Sequence, residues 1–413
     1  MEELPTYVLK DCEIPIGDTY ILDGSKLLYE SSLKSVFLGK IRNSNKTVAI
    51  KLEKINDSPT LFNEFKFLTH LQDIERISKV IWAGSQGKYN IIIMELLGPS
   101  LKNLMKFCKG KFTLETTLKI SIQVLDILRQ IHDKGVLLRY LKPANMVIGS
   151  GDKQKYIYLI DFELAKLYIR KGKHISYRED KAHIKGNRHF VSININNRIQ
   201  GSRRDDIESL GYNLIYFMKG ELPWSEETDS YNILQIKMKT SLDTLCEGLP
   251  DEFKEFIEYG RNLGFKDKPD YSYLQKLLIK AAEKNGIDLD KVEYDWISLK
   301  RKEKEDRQKI NEKDTKENIR NSGEKEVNKD ENNINKIVSE GGEELNMEEN
   351  KHLNKNEEMA KKEEIKDEEN KSNSKDKQLN EKERKDENKE LRNEQINEKG
   401  NKIEKFEEDK EQK

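Results

Sequence analysis

Val136-Leu137-Leu138-Arg139-Tyr140-Leu141-Lys142-Pro143-Ala144-Asn145-Met146-Val147-Ile148 is the run from which the rest of the chain can be ordered. Apolar residues open and close it. Between them Arg139, Tyr140, Lys142 and Asn145 bring a guanidinium, a phenol, an ammonium and an amide into one short loop. Upstream, to about residue 97, hydrophobic alternation marks strands, and beyond Gly98-Pro99 the periodicity turns helical.

Thr19-Tyr20-Ile21-Leu22 and Lys26-Leu27-Leu28-Tyr29 read as two strands parted by the Asp23-Gly24 turn, followed by a strand over 35–41. In the next, Thr47-Val48-Ala49-Ile50-Lys51-Leu52, alternation puts Val48 and Ile50 on one face and Ala49 and Lys51 on the other. Residues 61–68 have helical spacing, with Leu61, Phe65 and Leu68 on one side and Glu64 beside them as the candidate partner of Lys51. Val80-Ile81-Trp82 and residues 90–97 read as strands, the second ending at a hinge. Thr113 is an N-cap for a helix whose Leu114, Leu118, Ile122, Leu125 and Ile131 form a stripe leading into the opening run.

Length alone would allow two or three domains in 413 residues, but 37% of them are charged, and the excess lies in residues 301–413. That stretch is Lys, Glu, Asn and Asp with almost no aromatics, so it is expected to be a disordered tail. A continuous charged helix is the rival reading, with a coiled coil as its extension; Asn and the glycines Gly323, Gly341, Gly342 and Gly400 speak against it. A net charge of −1 gives no general pull toward nucleic acid or acidic membrane. Cys12, Cys108 and Cys246 are far apart, as suits a reducing compartment, and the six histidines lack metal-ligand spacing. No signal peptide, spanning run or prenylation signal is read. A soluble monomer is expected, cytoplasmic with the nucleus as a second site, and without nucleic-acid or membrane partners.

Several motifs together resemble the casein kinase 1 family of serine/threonine kinases: Met94-Glu95-Leu96-Leu97-Gly98-Pro99-Ser100-Leu101, the Leu141-Lys142-Pro143-Ala144-Asn145 loop, Tyr158-Leu159-Ile160-Asp161-Phe162-Glu163-Leu164-Ala165-Lys166, residues 202–212, Leu222-Pro223-Trp224 and Pro269-Asp270-Tyr271. Ser192-Ile193-Asn194 stands where that family departs from the Ala-Pro-Glu of other kinases. The resemblance implies an α+β, bilobal protein-kinase fold over residues 17–300, after an N-terminal extension, 1–16. Its N-terminal lobe, about 17–97, would hold five strands and one main helix, and a mostly helical C-terminal lobe would span about 98–300.

Carried over by the same resemblance, Lys51 would contact ATP phosphates and Glu64 would hold Lys51. Val36 and Ala49 would line the adenine pocket, Glu95 and Leu97 would offer hinge backbone groups, and Met94 would gate the space behind. Asn145 and Asp161 would bind Mg²⁺, Lys142 would steady the transferring phosphate, and Asp206 would brace the loop.

Departures from the family pattern argue against turnover. Leu138 replaces the loop histidine, and Tyr140 replaces the aspartate that orients the substrate hydroxyl. A phenol is protonated at neutral pH, so it donates where acceptance is required. Losing a positioned general base typically forfeits roughly 10²–10⁴-fold in rate. Tyr29-Glu30-Ser31-Ser32-Leu33-Lys34 replaces the Gly-x-Gly-x-x-Gly loop, with Lys34 and the serines as partial compensation for the lost backbone approach. Glu163 replaces the glycine of Asp-Phe-Gly. It would bias the activation segment toward one state or, alternatively, lend Mg²⁺ another oxygen.

The segment from Lys166 to Arg188 is basic. Arg178, Lys181 and Arg188 are its candidate anion or substrate contacts, compatible with acidic or phosphorylated protein partners. The leading expectation is a pseudokinase with weakened ATP binding. An active but atypical serine/threonine kinase and a scaffold acting through its charged tail are the rivals.

Overall fold

Strand-forming alternation over residues 13–95 produces a six-stranded antiparallel sheet in the order β1-β2-β3-β4-β6-β5. The strands are β1 (Glu13–Ile16), β2 (Tyr20–Glu30), β3 (Lys34–Ile41), β4 (Thr47–Lys54), β5 (Val80–Gln86) and β6 (Tyr89–Glu95). The computed structural model describes residues 12–55, 59–179 and 186–321, all within one unit, Met1–Lys329. Residues 1–11 and 322–413 of the N-terminal extension and tail, and Lys181 of the activation segment, lie outside the described residues.

The sheet has one strand more than the five expected, because β1, read as extension, pairs with the start of β2. That pairing also explains why the Asp23-Gly24 turn does not end a strand. Gly24 N–H donates to the Cys12 carbonyl at 2.9 Å and Ser25 N–H to the Asp23 side chain at 3.0 Å, so the turn chemistry is absorbed in an irregularity of the β2–β3 register between Leu22 and Leu27. One face of the sheet closes over Leu22, Phe37, Val48, Ile50, Ile91 and Ile93.

Helix α1 (Leu61–His70) packs against β5 and β6 and buries Leu61, Glu64, Phe67 and Leu68. Phe67 takes the inner position expected of Phe65, which is only half-buried. After the hinge come α2 (Leu101–Phe107) and α3 (Leu114–Asp133), the latter capped by Thr113. The opening run of the sequence becomes β7 (Val136–Leu137), a loop, and β8 (Met146–Ile148), which pairs with β9 (Ile157–Leu159). Short strands β10 (Lys166–Leu167), β11 (Ile169–Arg170) and β12 (Lys173–His174) follow.

The remainder is helical: α4 (Ile193–Asn196), α5 (Arg203–Lys219), α6 (Ser230–Lys239), α7 (Leu242–Leu245), α8 (Asp251–Asn262), α9 (Tyr271–Lys284) and α10 (Asp295–Asn321). The core of this lobe is the packing of α3 against α5 and α9, with α8 closing the far side. Helix α10 corrects the tail boundary at Arg301, since the chain stays helical to Asn321, just before Gly323. Its first turn is docked. The Tyr294 and Trp296 rings stack at 4.3 Å, and Asp295 accepts from Thr113 N–H and Oγ1, each at 2.7 Å. A docked first turn removes the nucleation cost that makes an isolated charged helix marginal.

Candidate active site

Cross-strand register sets the roof of the cleft. Val36 lies opposite Lys51 and Ala49 opposite Met94, so all four share the face turned away from the sheet's own apolar cluster. The start of α1 is fixed by the buried Glu53 of β4, whose carboxylate accepts from Thr60 N–H at 3.0 Å, Thr60 Oγ1 at 2.9 Å and Leu61 N–H at 3.0 Å. The two backbone N–H donors are among the N-terminal groups a helix cannot satisfy internally. Glu64, in the first turn, then meets Lys51.

Lys51 Nζ stands 2.6 Å from Glu64 Oε2 and 3.4 Å from Asp161 Oδ1, with the lysine side chain 8% exposed. Burial pulls the ammonium down, but Asp161 and Glu64 outweigh it and hold Lys51 above the ordinary lysine value. Burial pushes Glu64 up, against the pull of Lys51. Burial also works against ionised Asp161, yet Lys51, Lys142 and Lys34 together hold it below the usual carboxylate range.

At the hinge, Glu95 N–H donates to the Lys79 carbonyl at 3.0 Å and Glu95 Oε1 accepts from Lys79 N–H at 2.8 Å. Leu97 is half-buried. Gly98 N–H donates to the Ile148 carbonyl at 2.9 Å, and a Cβ at Gly98 would lie 2.7 Å from Ile148 Cγ1. The hinge therefore runs against β8 at a distance only glycine allows.

Asp206, near the start of α5, organises the loop between β7 and β8. Its carboxylate accepts from Leu138 N–H at 2.9 Å, Arg139 N–H at 2.8 Å and His132 Nε2 at 2.9 Å, all at a buried position. The other nitrogen of His132 lies 2.6 Å from the Tyr271 hydroxyl. Leu138, in the place of a loop histidine, turns into the core instead. His132 and Tyr271 were missed in the sequence; the only signal was a histidine at the inner end of the α3 stripe.

Arg139 adopts φ 63° and sends Nε to the Leu164 carbonyl at 2.6 Å. The Tyr140 hydroxyl accepts from Lys142 Nζ at 3.0 Å, the same ammonium lying 4.3 Å from the Tyr140 ring centroid. Asn145 Nδ2 donates to the Tyr140 carbonyl at 3.0 Å, and its backbone carbonyl accepts from Ile160 N–H at 3.1 Å, which brings the loop beside Asp161.

Asp161 has φ 65°, whereas Glu163 has no positive φ, so the strained position lies two residues before the replaced glycine. Phe162 is fully buried with Phe67 and Leu68 of α1. The Glu163 carboxylate pairs with Lys34 and accepts from Thr60 Oγ1 at 3.2 Å, while its carbonyl accepts from Asn63 Nδ2 at 2.6 Å. Its carboxylate is thus tied to the upper lobe.

Of the anion candidates, Arg178 is exposed and its carbonyl accepts from Gln200 N–H at 3.1 Å. Arg188 donates from Nη1 to the Thr228 carbonyl at 3.1 Å, next to Glu226, Glu227 and Asp229. Below it, buried Lys237 donates to the carbonyls of Arg188 at 3.0 Å and Val191 at 2.6 Å and to Asn196 Oδ1 at 2.8 Å. Nothing in its sequence context set Lys237 apart from a surface lysine.

A family model described as the protein kinase domain matches residues 30–276, more than half of the chain and both walls of this cleft. The chain belongs to the protein kinase domain family. Kinase domains generally bind ATP with Mg²⁺, and the Lys51–Glu64–Asp161 assembly lies within the matched region.

Proposed function

We propose that this protein kinase domain is a casein kinase 1-like pseudokinase. It holds nucleotide weakly at most, transfers phosphate poorly, and engages acidic or phosphorylated proteins. The observation that carries the reading is the Tyr140–Lys142 contact. At the position where a kinase needs a proton acceptor, a phenol oxygen is already engaged by an ammonium at 3.0 Å. A side chain so held neither takes the substrate's proton nor leaves Lys142 unencumbered for the transferring phosphate.

The donor set suits Mg²⁺. Asn145 gives its amide nitrogen to the loop, leaving its oxygen for a cation, and Asp161 is held ionised. When bound, the ion would bridge and neutralise nucleotide phosphates. The chain's own residues would position the nucleotide: Val36 and Ala49 around the base, Glu95 and Leu97 at the hinge, Met94 behind, and Lys51, steadied by Glu64, on the phosphates. For partners, Arg178 and Arg188 offer cationic groups on the substrate side for acidic or phosphorylated sequences.

An active, atypical serine/threonine kinase is the second reading, favoured by the assembled Lys51–Glu64 pair at 2.6 Å. The test is phosphate transfer from Mg·ATP to an acidic or pre-phosphorylated peptide, with a thermal-shift measurement of nucleotide binding in parallel. Background-level transfer, gained only in Tyr140→Asp, is the expected result. Transfer by the natural chain that disappears in Lys51→Ala would overturn the pseudokinase reading.

A further inference from the structure

Two positions at which kinases of this pattern carry glycine are occupied here by opposite charges on opposite sides of the cleft: Lys34, the first residue of β3, and Glu163, following Asp161-Phe162. Their side chains are 11% and 19% exposed and form an ion pair. We propose that Lys34 and Glu163 are a positioning pair, an interlobe latch that holds Glu64 and Asp161 on either side of Lys51 without a ligand.

The pair is built in on both sides. Thr60 Oγ1, at the start of α1, donates to the Glu163 carboxylate, and Asn63 Nδ2 donates to the carbonyls of Glu163 and Ala165, at 2.6 and 3.4 Å. Lys34 Nζ also lies 3.9 Å from Glu53 Oε1, the carboxylate that caps α1. One polar chain therefore joins β3, β4, α1 and the segment after Asp161. Shelter from water limits salt screening of the central pair. Removing Lys34 takes the ammonium from the sheltered Glu163 carboxylate, and removing Glu163 leaves Lys34 beside Lys51 with Glu53 no nearer than 3.9 Å. Glycines at both positions would remove this side-chain link between β3 and the segment after Asp161. The two departures, which singly look like damage, are complementary.

Hydrogen exchange on the full chain, with no nucleotide added, tests the latch independently of whether the protein binds ATP or transfers phosphate. In Lys34→Met and in Glu163→Gln, amides of residues 60–64 and 161–167 should exchange about tenfold faster, with α5 and α8 unchanged as a check on folding. The double variant should be no faster than the faster single one, because the second substitution removes a partner that has already lost its mate. Unchanged exchange in both single variants overturns the proposal. So does a double variant whose acceleration is the product of the two single effects, since that marks two independent side chains.

Discussion

The cleft and the junction of α4, α5 and α6 each bury a lysine and an aspartate, and the protein treats the two sets in opposite ways. In the cleft Lys51 and Asp161 face charged partners, so the lysine is held up and the aspartate down, and both stay ionised. At the junction Lys237 donates to neutral oxygens and lies over the faces of Tyr212 and Trp224, at 4.8 and 5.1 Å, with Glu208 and Arg261 as opposing charges that act on it. Burial pulls it well below the ordinary lysine value. Asp205, which accepts from Ser192 Oγ and Ser202 N–H, is pushed by burial to about 6. Desolvation thus meets opposite outcomes in the two places, and the partner decides. The cleft is arranged to keep charge for a ligand; the junction uses polar groups as bolts that fix the turn over residues 192–196.

The comparison is most sharply tested at Lys237. Lys237→Ala leaves three buried oxygens without their donor and should lower unfolding free energy by about 3–5 kcal/mol, read by urea denaturation. A loss below about 1 kcal/mol would mean the junction is not held by that ammonium. Next in size is a pH effect at Asp205. Between the ordinary aspartate value and about 6, the folded protein keeps a proton that the unfolded chain has released. Stability should therefore fall as pH rises through that window, by an order-of-magnitude 3 kcal/mol in total, and Asp205→Asn should lack this drop. A parallel pH profile for the two proteins would remove the contrast with Asp161.

Lys51→Met should cost less than the loss at Lys237, about 2 kcal/mol, because Glu64, already pushed up by burial, takes up a proton instead of remaining charged. The same variant should abolish any thermal shift with Mg·ATP. The smallest expected effect is at Asp295→Ala, about 1–2 kcal/mol for two hydrogen bonds at the docked start of α10, read as a lower melting temperature with cleft binding unchanged.

Much of the cleft was legible because its residues follow a spacing tied to strand alternation and helix period. Ala49 and Lys51 share a face for the same reason that Val48 and Ile50 share the other, and Glu64 follows from the helical stripe. What stayed hidden depends on partners far away in the chain. Lys34 and Glu163 each looked like a lost glycine until placed side by side, across 129 positions. His132 finds Asp206 across 74, and Lys237 reads as one more basic residue of α6 until the carbonyl of Val191 appears above it. The Asp23-Gly24 signal was a real local preference overridden by β1, and Asp206 braces the loop as the motif implied because the loop's backbone N–H groups need a buried acceptor.

Helix α10 carries one more consequence. At about 1.5 Å per residue, its 27 residues span roughly 40 Å from the stacked rings that root it. Residues 301–309 are exposed along it. The helix thus carries the chain to Asn321 on an exposed stem whose bearing is set at its foot, where Asp295 clasps Thr113 and Trp296 packs between Tyr294 and Phe112.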